Sequence, residues 1–337
     1  MEKLINQKIY GIFLRIIKIK IMNKSLSFLI FFLFISSACE LNRNISIEIN
    51  EIFENYYQES LKLYPLKATS QGDVRYNDFL PNNLTDEFRN NERLFYLNYI
   101  NKLNEFDDIK LDEEDLLSKK ILLWECKRNI ERLTFNEHYT PINQMWTLQL
   151  DIGQNAAGMS AQPFKTIKDY NDWLSRIDDY LIWLSSAENK MREGVNKGYV
   201  LPKSLIKKVI PQLRTILNSN LDQNLFYSPA RQFPQNFNDT QRLEFKEKYK
   251  TMVLNKIIPA YQKLYDFMKD EYLQEGRDSS GIDVYKDGLN YYDYSIRLYT
   301  TTEMSADEIH NLGLNEVARI SSEMELIKNK VNFKGDL

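Results

Sequence analysis

The stretch IKDYNDWLSRIDDYLIWLSSAENKMREG, residues 167–194, decides the fold class. Within it Ile167, Tyr170, Trp173, Leu174, Ile177, Tyr180, Leu181, Leu184, Ala187 and Met191 recur every three or four residues. That is the period of one helix face, whereas a half-buried strand would alternate every second residue. Gly194 and Gly198 are expected to end this helix. Pro202 can open the next at its first turn, and that helix runs to about Leu217.

The same period extends in both directions. Upstream, Ile45, Ile47, Ile49, Ile52, Phe53, Tyr56, Tyr57 and Leu61 predict an amphipathic helix that stops before Pro65. Residues 69–83 read as a loop, and helices resume over about 85–105 and 112–135. Residues 145–165 are the least helical part of the middle. Met145 to Leu150 reads as a short strand or extended run that lines a cleft or serves as a packed connector, with Gly153, Gly158 and Pro163 as breaks. Downstream, 222–238 is a loop and a long helix covers about 240–273, kinked or broken at Pro259. A loop over 275–288 follows. Ser305-Ala306-Asp307-Glu308 is a capping box that starts the last helix, in which Ile309, Leu312, Val317, Ile320, Met324, Ile327 and Val331 make one apolar face. With only 11 Gly and 9 Pro in 337 residues, backbone punctuation is too sparse for many tight turns. The expected fold class is all-α, with long antiparallel helices and a few irregular loops.

The N-terminus carries a different message. Lys24 precedes a ten-residue apolar run from Leu26 to Ile35, broken only by Ser27, and Ser36, Ser37 and Ala38 lead to Cys39. The run is too short to span a bilayer as a helix and has the layout of a signal peptide. The pattern resembles a bacterial lipobox, with Ser36 where that motif usually has Leu. Residues 1–38 are read as the signal peptide, Cys39 as the lipidated first residue, and 39–44 as a tether to a helical body over 45–337. Basic residues preceding Met22 lengthen the charged region beyond need, so Met22 is read as the start of translation. The protein is expected to be exported and lipid-anchored to the cell envelope, facing the periplasm or in the outer membrane.

Net charge is -3 at pH 7, but 38 basic and 46 acidic residues remain in 39–337. An acidic body without a basic stripe excludes nucleic acid as a natural partner. Two cysteines allow no further framework: with Cys39 acylated, Cys126 is expected as a buried, inert thiol.

Motifs for known chemistries are missing. A helical zinc hydrolase needs H-E-x-x-H, with two His one turn apart and a Glu as general base. The chain has two His in all. His310 is followed by Asn311, with Leu314 where the second His belongs; Glu137-His138 lacks the first His of H-x-x-E-H, because Thr134 stands there. His138 is expected as a capping or surface residue. No G-x-S-x-G, Walker-type loop or G-x-G-x-x-G occurs, and Asp107-Asp108 and Asp178-Asp179 read as solvated faces. The most unusual segment is 287–308. Its Tyr291, Tyr292, Tyr294, Arg297 and Thr300-Thr301-Thr302 form either a polar cleft wall or a Tyr-rich helix seam.

Three ordered motifs carry a resemblance. They are Met191-Arg192-Glu193-Gly194 with Gly198-Tyr199-Val200-Leu201-Pro202; Gly288-Leu289-Asn290-Tyr291-Tyr292 with Arg297 and Thr300-Thr301-Thr302; and Glu308-Ile309-His310-Asn311-Leu312-Gly313-Leu314 with Glu316-Val317-Ala318-Arg319-Ile320. Together they resemble the bacterial "domain of unknown function 885" family, whose members are often lipoproteins and look like helical zincin-type metallopeptidases. The resemblance implies an H-E-x-x-P-G-H-H segment downstream of Ile320, and the chain reaches Leu337 without one. It therefore implies an incomplete zincin-like domain, not catalytic by itself. No metal ligand or cofactor is expected in this chain, and zinc only if the missing C-terminal part is present, for instance as a downstream complementing polypeptide. Tyr292, Arg297 and His310 match motif positions at a cleft for a peptide substrate. The alternative is a helical lipoprotein that binds peptide or glycan without catalysis; a metal-independent hydrolase built on a carboxylate pair is a third reading.

Replacing Cys39 with Ala should abolish acyl labelling and move the protein from the membrane to the soluble fraction. Ribosome profiling should show initiation at Met22; initiation at Met1 would refute that start.

Overall fold

The structure, a computed structural model, describes residues 45–145 and 147–336. The segments expected as signal peptide and tether, with Cys39, lie outside the described residues, as do Trp146 and Leu337. Helices dominate and no strand occurs among the described residues; the one bridge of strand type pairs Pro202 with Arg277. The all-α expectation is what the structure shows. No described helix is long and apolar enough to cross a membrane.

The helices are α1 (45–63), α2 (Pro65–Ser70), α3 (Asp86–Asn104), α4 (Glu113–Arg132), α5 (Leu148–Ala156), α6 (Ile167–Lys197), α7 (Lys203–Ile216), α8 (Asp239–Met252), α9 (Ile258–Asp266), α10 (Leu273–Glu275), α11 (Gly288–Thr300) and α12 (Ala306–Lys330). They fall into two compact units. One takes in residues up to Gln58 with Asn98–Cys126, the other Glu59–Leu97 with Lys127–Leu337.

In the first unit, Ile49, Tyr56, Tyr99, Leu103, Leu122 and Cys126 are buried. Asp115, itself buried, accepts from Ser46 Oγ at 2.6 Å and Asn50 Nδ2 at 2.9 Å. Lys119 donates to the Phe106 carbonyl and to Asp108, both at 2.6 Å, which fixes the turn between α3 and α4. Cys126 is the buried thiol expected. Burial, then the neighbouring Glu125, pushes its pKa up to about 12, so it stays protonated and unreactive.

The second unit is organised on α6. Thr166 and Asp169 cap its start reciprocally, and Tyr170, Trp173, Ile177, Tyr180, Leu184, Ala187 and Met191 are all buried. They pack against α8 and α9, and α9 packs on α7. Gly198 ends the helix at φ 80°, a left-handed conformation that glycine adopts without a Cβ clash. Gly194, expected to share that role, lies inside the helix. A Cβ there would stand 2.7 Å from the Tyr199 carbonyl and 3.0 Å from Tyr139 Cβ, so glycine is required for space.

Two other expectations change. Residues 148–156 form a helix, not a strand or extended run. Leu148, Ile152 and Ala156 lie one turn apart, but Gln149 and Asn155 are buried with them, which blurred the period. Residues 69–83 are less irregular than a loop, since 69 and 70 close α2 and Val74–Tyr76 form a 3₁₀ turn. Pro259 breaks the long helix as expected: a π-helical turn over Val253–Ile257 precedes α9 and widens the backbone where the ring and missing N–H break the regular ladder.

Arg176 is fully buried on the apolar face of α6. Its guanidinium donates to the carbonyls of Phe79 at 3.2 Å and Tyr76 at 2.5 Å, to Thr69 Oγ1 at 3.0 Å and to Gln162 Oε1 at 2.7 Å. Replacing Arg176 with Met would leave those acceptors buried and unpaired. The expected loss is about 3–5 kcal/mol in urea unfolding. Faster proteolysis between Gly72 and Asn82 should accompany it.

Candidate functional site

The richest polar constellation in the second unit lies where α3, the end of α4, the 3₁₀ turn Glu137–Tyr139 and α11 meet. Glu92 and Tyr96 stand one turn apart on α3, so both side chains leave the same face. Glu92 is 3% exposed, and a carboxylate so buried needs partners. Arg132 supplies one, donating to Glu92 Oε1 at 2.6 Å and to Glu137 Oε1 at 2.5 Å. Tyr64 supplies another at 2.5 Å and lies 2.6 Å from the Tyr96 hydroxyl. Burial, then Tyr96 and Glu92, raises the Tyr64 pKa far above the phenol range, so it acts as a fixed donor.

On the α11 side, Arg297 donates to Glu131 Oε1 at 2.5 Å, and Arg128 to Glu131 Oε2 at 2.7 Å. Tyr294 donates to the Arg128 carbonyl at 3.2 Å. The rings of Tyr291 and Tyr294 lie 5.1 Å and 5.2 Å from Phe135, a normal aromatic packing distance. Burial, then Glu137, pushes the Tyr291 pKa up to about 12. Close by, Tyr199 donates to Asp287 at 2.7 Å and accepts from Asn136 at 2.9 Å. This is mostly a helix seam with a satisfied polar lining.

His138 is neither a cap nor a surface residue, which corrects that expectation. It sits half-buried in the 3₁₀ turn against the Tyr139 ring, and its buried Nδ1 has no hydrogen-bond partner among the described residues. Burial lowers its pKa to about 4, and Arg89, Lys190 and Lys197 add to that while Asp86 opposes it.

A family profile described as "bacterial protein of unknown function (DUF885)" matches residues 65–337. The chain belongs to this family. No curated protein sequence matches it. In fold, it is similar to a crystal structure of a presumed lipoprotein from Colwellia psychrerythraea. The TM-score is 0.73 and the identity 20%, with 86% of this chain covered and 52% of that one. The chain thus spans about half the length of the solved structure it resembles.

Within this DUF885 chain the three residues singled out by motif go to different places. Arg297 is held by Glu131, Tyr292 is 47% exposed on α11, and His310 is exposed on α12. No hydrogen bond or ion pair links the three to one another. Among the described residues no three His, Cys, Asp or Glu side chains gather in a metal-holding arrangement. The residues do not fit a zinc ion: His138 is surrounded by cationic side chains, and His310 has Leu314 one turn on. Sequence reasoning missed Glu92, Arg132 and Tyr64. Their only signal was a single Glu in the 3–4 period of α3.

α12 forms as expected, with Ser305 and Glu308 capping each other, but none of its residues is buried. Leu312, Val317, Ile320, Met324, Ile327 and Val331 are between 45% and 65% exposed. Thr301, which links α11 to it, is left-handed at φ 55°, a conformation that costs a β-branched residue free energy.

The His138 environment gives a pH prediction. The unfolded state binds a proton near pH 6.5 and the folded state only near 4, so stability holds above pH 6.5 and falls as pH drops toward 4. Because the ring is only half-buried and solvent screens its surroundings, the expected loss is roughly 2 kcal/mol, well under the full value of such a shift, read from urea midpoints across that window. His138→Phe should flatten the slope, and one of the two imidazole NMR signals should stay in its neutral form to about pH 5.

Proposed function

We propose that this chain is the helical, non-catalytic part of an exported, lipid-anchored, peptidase-like protein of the zincin type. The zinc site and general base would come from sequence outside these 337 residues. The observation that carries the reading is the uncovered apolar face of α12. An amphipathic helix of 25 residues with no buried side chain has no cohesive reason to keep that face in water. Burying such residues is worth about 1.5–3 kcal/mol each when complete. The likeness covers 52% of the solved chain, and its remainder leaves room for a part that would cover this face. The anchor rests on the lipobox-like residues ending at Cys39, and the relative's description as a presumed lipoprotein supports it. In the complete protein, zinc would polarise the scissile carbonyl and activate water. This chain's residues would supply the helical wall and a rigid seam at Glu92, Arg132 and Glu137 beside α11.

The test is to purify the mature chain in detergent and measure zinc content, peptide hydrolysis and association state. Alone it should retain no stoichiometric zinc, show no chelator-sensitive hydrolysis and self-associate. Ile320→Glu and Met324→Glu should reduce that association. The DNA after the Leu337 codon should encode H-E-x-x-H, in frame or shifted, and adding that polypeptide should restore zinc-dependent hydrolysis. A monomeric, cooperatively melting chain with no such downstream motif would favour the binding lipoprotein without catalysis. Hydrolysis that survives chelators would overturn the zinc reading.

A further inference from the structure

The segment 79–82, the first turn of α3 and the middle of α6 enclose an open cavity of about 330 Å³, within the size range of small-ligand sites. Phe79, Pro81, Phe88 and Ile182 give it apolar walls, and Glu87 and Asp179 stand in its lining. No Lys or Arg lines it. Neither Glu87 nor Asp179 forms a salt bridge among the described residues. We propose that this cavity is a subsite for a basic peptide side chain, arginine above all.

Three observations select that ligand. The Glu87 and Asp179 carboxylates disfavour an anion, and Glu87 has no salt-bridge partner among the described residues. At the helix start that might attract one, the Phe88 amide already donates to Thr85 Oγ1 at 3.1 Å, and Asp86 and Glu87 make the first turn acidic. Phe79 is 41% and Ile182 60% exposed, and such apolar surface suits the methylene stem of a long cationic side chain. A guanidinium can also stack on the Phe rings while its donors reach carboxylate oxygens. The site is preformed. Asp179 Oδ2 accepts from the Leu80 amide at 2.9 Å, Asn82 donates to Ser186 at 2.7 Å, and Arg176 holds the Phe79 carbonyl from behind. A ligand therefore pays little to order the loop.

The test uses the full chain in detergent and the peptide acetyl-Ala-Arg-Ala-amide, with its citrulline counterpart as an uncharged isostere, followed by calorimetry or NMR. The arginine peptide should bind about tenfold more tightly than the citrulline peptide, with the difference shrinking at high salt. Glu87→Gln, on an exposed side chain, should weaken the arginine peptide about tenfold and leave the citrulline peptide unchanged. Asp179→Asn should act in the same direction. Equal binding of the two peptides, no binding of either, no effect of Glu87→Gln, or tighter binding of a neutral chitin trisaccharide would each overturn the proposal. None of these outcomes bears on zinc content or hydrolysis, which test the peptidase-like reading separately.

Discussion

Arg176 places a charge in the middle of the apolar face of α6, between Trp173 and Tyr180, with no carboxylate in hydrogen-bond contact. A buried guanidinium is tolerated only if its donors are used, and here four acceptors from three chain segments use them. Burial lowers its pKa to about 10, partly offset by Asp78, Asp172 and Asp179, so it remains charged at neutral pH. Because the acceptors include the Tyr76 and Phe79 carbonyls, the segment before α3 is tied to α6 by geometry that no lysine or apolar residue could reproduce. The position of Leu80, Pro81 and Asn82 follows from that tie, and so does the cavity beside them.

The polar seam near α11 shows the same logic in another form. Glu92 is buried and would be costly alone. Arg132 bridges it to Glu137, Tyr64 donates to it, and Arg297 and Arg128 share Glu131. Several tyrosines of this chain serve such arrangements: Tyr64, Tyr170, Tyr249 and Tyr294 each place a ring in the packing and a hydroxyl on a carbonyl or carboxylate. Tyr180 of α6 and Tyr261 of α9 pair their hydroxyls at 2.7 Å. Of the two readings of residues 287–308, the helix seam describes Tyr291 and Tyr294, while Tyr292 and the Thr300–Thr302 turn remain exposed.

α6 and α12 carry nearly the same pattern and have opposite fates. Both start with a reciprocal cap and both repeat apolar residues every three or four positions. α6 buries its stripe against α8 and α9; α12 buries none of it. Amphipathic period specifies which residues would face a partner, and it carries no information on whether the partner belongs to the same 337 residues.

The sequence by itself determined the all-α class, the start of α6 and Gly198 as one of two candidate ends, the break at Pro259, the cap at Ser305 and the burial of Cys126. All of these follow from short-range physics: helical period, backbone freedom, a missing N–H and the low polarity of a thiol. The tertiary structure alone decided the rest. Gly194 is a contact point because Tyr139 approaches from another segment. His138 is held neutral because the fold buries it, with Arg89, Lys190 and Lys197 adding to that, and the helix over 148–156 was hidden because Gln149 and Asn155 are buried among its apolar positions. Tyr292, Arg297 and His310 were legible as motif residues, but not the different places the fold gives them, since contacts across tens of residues leave no local trace. Arg176 left the clearest unread signal: a charge on an otherwise apolar helix face must be paired somewhere, and only the fold shows where.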